Sequence, residues 1–323
     1  MANMSITAPP HRRFPAKVAG WALLLAGFAS APAGADAVKL HVACTATSDC
    51  ASAMVARDGG IFAKHGLDVD MTLIGINTNI PPAIVSDSIQ IGGPTSPVFL
   101  QAVSGGLDLV AIAGASTMDT ASDGAIAAMS RNGLALHDAK DFVGKKVGAP
   151  GIGAFLQVLF VKWLIEKGVD PKSVNFVEVT FPTMSDTLKS GAVDAVLTTE
   201  PIVSRIIKAG NGAVGARYAL ELGRTDPIIS YVTTRTFAEK NPAVVEAFRE
   251  SIAEAAPIVN GDHEKTSLAI SNFTKQPIDI VRANVFSHSS PELKGSDFAW
   301  WLEVMKQQDM LQAPIDASKL VAP

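Results

Sequence analysis

The sequence predicts an α/β protein of two units, each a mostly parallel sheet flanked by helices. Three observations carry this. Short β-rich runs alternate with helix-length runs from Lys39 to Ser116. The same alternation restarts at Lys146. At 48% hydrophobic and 18% charged, the 323-residue chain is apolar enough to fill sheets that are buried on both faces.

In the first unit, Lys39–Cys44 (KLHVAC) alternates as a strand. The polar turn Thr45–Asp49 ends in helix-capping residue types, and Ala51–Lys64 follows as a helix stopped by Gly66. Leu67–Ile74 alternates as a second strand, and Gly75–Asn79 is a polar loop. Pro81 and Pro82 suit the first turn of the next helix. Ser88–Ile91 reads as a short strand, Pro97–Val103 as a helix, Leu107–Ala113 as a strand and Gly114–Ser116 as a loop. The second unit predicts strands at Lys146–Ala149, Val174–Thr180 and Ala192–Thr198. Helices are expected at Ala154–Lys167, Ser185–Ser190 and Ile202–Ala209. Two strand-like runs, Ala125–Ser130 and Ile228–Thr234, flank this unit. Beyond Thr234 the pattern is helical to Gln308, and this tail is expected to pack on the first unit.

The N-terminus has its own signature. His11, Arg12, Arg13 and Lys17 precede the 11-residue apolar run Val18–Phe28, and Ala35-Asp36-Ala37 fits a signal cleavage site. A membrane span needs about 20 apolar residues. Residues 1–37 therefore read as a cleaved signal peptide, with the Sec and twin-arginine routes both open. Cleavage removes Arg12, Arg13, Lys17 and Asp36, which moves the formal charge from -4 to -6. Such composition excludes a disordered chain, and its acidity argues against nucleic acid as a partner.

Few motifs for chemistry remain. Cys44 and Cys50 are close enough in sequence for a disulfide in an oxidising compartment, or for two buried thiols. The six histidines are scattered, so no metal site is expected. Gly151-Ile152-Gly153 opens a helix after a strand, but Leu156 stands where a dinucleotide fingerprint has its third glycine. A nucleophile elbow and a phosphate loop are both absent. The expectation is no cofactor and no catalysis.

Ligands of parallel α/β sheets bind outside the carboxyl ends of the strands. There the first unit offers Thr45, Thr47, Ser48, Asn77, Thr78, Asn79, Thr95, Ser96 and Ser116. The second offers Gly151, Gly153, Ala154, Phe155, Thr183, Thr199 and Glu200. Hydroxyls and amides in these places are also ordinary helix caps, and both readings stand for each residue. Taken together, two such sets facing one cleft favour a binding site.

Four stretches carry a family resemblance. They are Ala56–Asp70 (ARDGGIFAKHGLDVD), Lys140–Gly148 (KDFVGKKVG), Leu188–Val196 running into Glu200-Pro201, and Phe237–Pro242 (FAEKNP). In this order they resemble the periplasmic solute-binding proteins of ABC importers, in the SsuA/TauA-like group with its thiamine-precursor-binding relatives. The resemblance spans about residues 39 to 250. It implies a type II two-lobed fold, with residues 38–126 and 228–323 in lobe 1, residues 127–227 in lobe 2, and two crossing hinge strands around 122–130 and 226–234. It also implies a monomer that captures a small anion or zwitterion and hands it to an inner-membrane permease. The group includes pyrimidine-precursor binders, and a related synthase on the same fold relies on a Cys-rich segment and iron-binding histidines, whereas this chain has two cysteines near its start and no His cluster. Several anion binders of the group place an arginine in the cleft, whereas none of these cleft loops contains Arg or Lys. Glu200 is open to pairing with an amine, accepting from a ring N–H, or capping the following helix. Phe155, Phe181 and Tyr231 are candidates to stack on a planar ligand.

Overall fold

The computed structural model describes residues 37–119 and 124–323. The predicted signal peptide, Ala37 excepted, lies outside them, as does part of the first predicted crossing segment.

The chain first lays down β1 (Val38–Cys44), β2 (Leu67–Leu73), β3 (Ile91–Gly92) and β4 (Leu109–Thr117). It then builds β5 (Ala127–Arg131), β6 (Lys146–Ala149), β7 (Asn175–Glu178), β8 (Ala195–Thr198) and β9 (Gly212–Ala216). It returns with β10 (Pro227–Thr234) and β11 (His288–Ser289). One sheet has the order β11-β4-β10-β3-β1-β2 and the other β7-β6-β8-β5-β9. The first sheet with its helices forms lobe 1, the second lobe 2.

From β2 and from β7 the two sheets follow one plan, β2-β1-β3-β10-β4 and β7-β6-β8-β5-β9. In each, the antiparallel strand in fourth place is the first one laid down after a crossing from the other sheet. The crossing strands thus do more than connect, because each is buried inside the sheet it enters. β10 is buried from Pro227 to Thr233, and Ala127–Ser130 of β5 are buried as well.

Helices cover the sheets. Lobe 1 carries α1 (Ala51–Asp58), α2 (Ile61–Lys64), α3 (Ile80–Val85) and α4 (Ser96–Ser104). Lobe 2 carries α5 (Phe155–Glu166), α6 (Met184–Lys189), α7 (Ile202–Lys208) and α8 (Tyr218–Leu222). The tail supplies α9 (Arg235–Lys240), α10 (Pro242–Gly261), α11 (His263–Thr274), α12 (Ile278–Arg282) and α13 (Ala299–Gln307). Phe248 of α10 stacks on Phe62 at 5.4 Å and meets Tyr231 at 5.1 Å, which seats the tail on lobe 1. In lobe 2, Phe160 packs against Phe142, Trp163 and Tyr218. Burying a large apolar side chain of this kind contributes about 1.5–3 kcal/mol.

The structure corrects several expectations. The helix predicted over Ala51–Lys64 breaks after Asp58, because Gly60 has φ +71°, a left-handed conformation that no helix continues. Gly114–Ser116 is strand, not loop, since β4 runs on to Thr117 where β11 pairs with it. The tail is not wholly helical, because its short strand β11 extends the first sheet. β9, of Gly, Ala and Val only, and α8 had no expected counterpart. Cys44 and Cys50 form a disulfide that closes the turn between β1 and α1. No helix among the described residues is long and apolar enough to cross a membrane.

Candidate functional site

Strand ends of both sheets converge on one inter-lobe cavity. Counting all space between atoms and including its mouth, it holds about 450 Å³. Lobe 1 lines it with Thr45, Thr47, Asp49, Asn77, Thr95 and Ser287. Lobe 2 lines it with Pro150, Ala154, Phe155, Leu156, Phe181 and Thr199. Ile126, Ile228 and Ile229, at or next to the crossing strands, complete the lining.

The turn after β1 carries the most chemistry. Thr45 and Thr47 are buried in it at the cavity wall. The Thr47 hydroxyl donates to the Asp49 carboxylate at 2.7 Å. Ser287, from the chain just before β11, donates to the same carboxylate at 2.8 Å, and Ser116 reaches it at 3.5 Å. Burial pushes the Asp49 carboxyl above its usual range, and the hydrogen bonds from Thr47, Ser287 and Ser116 pull against that. Asp49 is the one charged side chain among the described lining residues.

Asn77 and Thr95 form a second polar pair. Asn77 Oδ1 accepts from the Thr95 amide at 2.9 Å and from its hydroxyl at 3.2 Å. The Thr95 hydroxyl also accepts from the Phe155 amide of the opposite lobe at 3.3 Å. Further bonds tie the lobes together. Gln101 Nε2 donates to the Gly153 carbonyl at 2.6 Å, and Gln308 Nε2 to the Val158 carbonyl at 3.0 Å. Lys208 pairs with Asp279 at the far side.

Lobe 2 brings apolar surface and a helix start. α5 begins at Phe155 after the glycine turn, so its first turn borders the cavity. Phe155 is buried and meets Trp301 edge-on at 5.6 Å. Phe181 lines the cavity as well.

The structure therefore gathers Thr45, Thr47, Asn77, Thr95, Ala154, Phe155 and Thr199 at the cavity wall. It places the other predicted site residues off the lining, each for a local reason. Ser48 is buried inside the β1–α1 turn. Thr78 lines a neighbouring groove with Pro81 and Gln101. The Ser96 hydroxyl donates to the Pro227 carbonyl at 2.7 Å, tying α4 to β10. Ser116 lies in a strand behind Asp49. Gly153 offers its carbonyl to Gln101. Glu200 accepts from the Ser204 amide at 3.0 Å and hydroxyl at 3.1 Å, so it caps the first turn of α7. Burial raises the Glu200 carboxyl and those bonds work against the rise. Tyr231 is fully buried, with its hydroxyl 2.9 Å from that of Ser52.

Two polar lining residues, Asp49 and Ser287, are absent from the set the sequence predicts. Asp49 sits where the sequence predicts a helix cap, yet α1 has no side-chain cap and the carboxylate turns toward Thr47 and Ser287 instead. Its signal was visible only as a carboxylate among hydroxyls at a strand end. Ser287 had no local signal, because β11 owes its position to pairing with β4.

Comparison with known proteins agrees with this geometry. Residues 33–271 match the model of the NMT1-like family. The taurine-binding periplasmic protein of Escherichia coli K12 is 26% identical over 233 residues, covering 72% of this chain and 70% of that one. The ligand-binding component of an ABC-type import system from Staphylococcus aureus superposes with TM-score 0.76 at 14% identity, covering 88% of this chain and 97% of that one. The alkanesulfonate-binding protein SsuA from Xanthomonas axonopodis pv. citri, solved with MOPS, gives TM-score 0.72 at 14% identity with the same coverage. These structural likenesses establish the fold. With its matched sheets, crossing strands and interlobe cavity, the chain belongs to the NMT1-like family and is an SsuA/TauA-like solute-binding protein of the two-lobed periplasmic-binding-protein fold.

Proposed function

We propose that this protein is the extracytoplasmic solute-binding component of an ABC importer. It captures a small organic anion or zwitterion, a sulfonate, carboxylate or similar, between its lobes and delivers it to the inner-membrane permease. Residues 38–126 and 228–323 act as one lobe and 127–227 as the other, and residues 1–37 direct export. The observation that carries the reading is the cavity itself. It lies where the strand ends of two similarly built sheets meet, with hydroxyls and an amide on one wall and aromatic side chains on the other. Such walls suit a small solute with a polar end and an apolar body. A binding role is supported by the relative matched in sequence, which is named as a binding protein. The relative named for taurine supports a small sulfonate-bearing solute.

A thermal-shift screen of the mature protein tests this, run with sulfonates, carboxylates, pyrimidines and amino acids. A bound solute raises the melting temperature by mass action, by RT ln(1 + [L]/Kd) in free energy. At least one class should shift the transition, and mass spectrometry should recover the solute unchanged. Turnover of a compound without any shift would refute the reading.

A further inference from the structure

We propose that Asp49 is the counter-ion for a cationic nitrogen on the solute, so that the cleft selects amine-bearing zwitterions over simple anions. This rests on the solute-binding reading above and narrows it.

Hydrogen-bond supply limits what this wall can offer a solute. A carboxylate only accepts, and a hydroxyl has one proton to give. The protons of Thr47 and Ser287 go to Asp49. The Thr95 proton goes to Asn77 Oδ1, and the Asn77 amide donates to the Gly93 carbonyl at 3.4 Å. Thr47, Ser287, Thr95 and the Asn77 amide have thus each directed a donor within the wall. What they turn outward is mostly lone pairs around one carboxylate. Such a surface matches a solute group that donates several N–H bonds and carries positive charge.

Charge points the same way. The bonds to Asp49 come from neutral hydroxyls, and no lysine or arginine lines the cavity among the described residues. A carboxylate buried without a cation is unfavourable, and a solute ammonium supplies the missing charge. A solute anion in the same place would meet like charge. The opposite wall suits the anionic end of a zwitterion, since the twelve-residue helix α5 begins there with Phe155 and Leu156 at the lining. The titratable groups on the surrounding elements do not take over the role of Asp49. Tyr231 on β10 is kept protonated by burial. His288 on β11 is exposed, and its amide donates to Asp119 at 3.3 Å.

The test is isothermal titration calorimetry on wild type and Asp49→Asn. Each class of the screen enters as a pair, with and without an amine: taurine with ethanesulfonate, β-alanine with propionate. Wild type should bind an amine-bearing member at least tenfold more tightly than its amine-free partner. Asp49→Asn should lose at least tenfold on the amine-bearing member and lose nothing on the other. Equal or tighter binding of the amine-free members, or full affinity in Asp49→Asn, overturns the proposal and leaves solute binding standing. If no compound of the screen binds wild type, both readings fall. Wild type alone gives a second measurement that needs no variant. Affinity for the amine-bearing solute should fall as pH drops from 7 through the raised Asp49 carboxyl range, because protonation removes the counter-ion. Affinity that rises over that window would mean that a protonated Asp49 holds an anion, and would overturn the proposal.

Discussion

The turn between β1 and α1 and the turn between β6 and α5 hold matched places in the two sheets and are built in contrasting ways. The first is rich in side-chain oxygen, and the Cys44–Cys50 disulfide closes it. The second, Pro150–Ala154, has almost no polar side chain and takes its shape from Gly151 and Gly153, with φ of 153° and 78°. A turn that presents side chains needs its backbone fixed from outside, and a disulfide does that. A turn that lets another lobe approach needs its side chains removed. Gly153 shows this, since a Cβ there would lie 2.8 Å from Gln101 Nε2 of lobe 1. The contrast places the polar side chains of the cavity in the lobe 1 turn and a side-chain-poor turn opposite them in lobe 2.

Substitutions can break this contrast, and the largest expected effect is on the closing side. Phe155→Ala removes a buried ring that touches both the cavity and Trp301. Large-to-small changes of this kind cost about 3 kcal/mol or more, so urea unfolding should shift and solute affinity should fall. Unchanged affinity would remove Phe155 from the site. Next is the staple of the recognition turn. Replacing both Cys44 and Cys50 by Ser should cost about 2 kcal/mol in the same assay, by the loop-entropy relation for so short a loop. The loss should weaken binding as well, if the staple orders Thr47 and Asp49.

A smaller effect is expected from Gly153→Ala. Its left-handed φ disfavours any side chain by roughly 1–2 kcal/mol, and the new Cβ would press on the Gln101 amide at 2.8 Å. Thr45→Ala, in the matched turn, carries no such backbone strain and serves as the control. The smallest change is Thr95→Val, which keeps the shape and removes the hydroxyl that bridges Asn77 to the Phe155 amide. One such bond contributes about 1 kcal/mol, so the lobes should open more readily and affinity fall severalfold. A Thr95→Val protein that binds as wild type would show that closure does not run through this bond.

The sheets were legible because their strands are β-rich runs set between helices, which alternation alone reveals. β11 was not, since a two-residue strand has no period and exists only by pairing with β4. The helix break at Gly59–Gly60 hid in plain view, as helix-forming residues continue on both sides of it. At the site, hydroxyl positions were legible and their partners were not. Ser96 and Thr95 are adjacent and alike, yet one turns to the Pro227 carbonyl and the other to the cavity. Asp49 shows the same limit, because a carboxylate before a helix serves equally as a cap or as a wall, and only distant Ser287 and Ser116 decide which.

In the proposed reading, lobe 1 holds the amine end of the solute and lobe 2 closes over the rest of it. A crystal structure of the protein with an amine-bearing solute tests this most directly. The solute nitrogen should lie about 2.7–3.2 Å from the Asp49 carboxylate, with the ring of Phe155 against the solute body. A solute whose anionic end sits at Asp49, or one bound outside the cavity between β1 and α5, would contradict it.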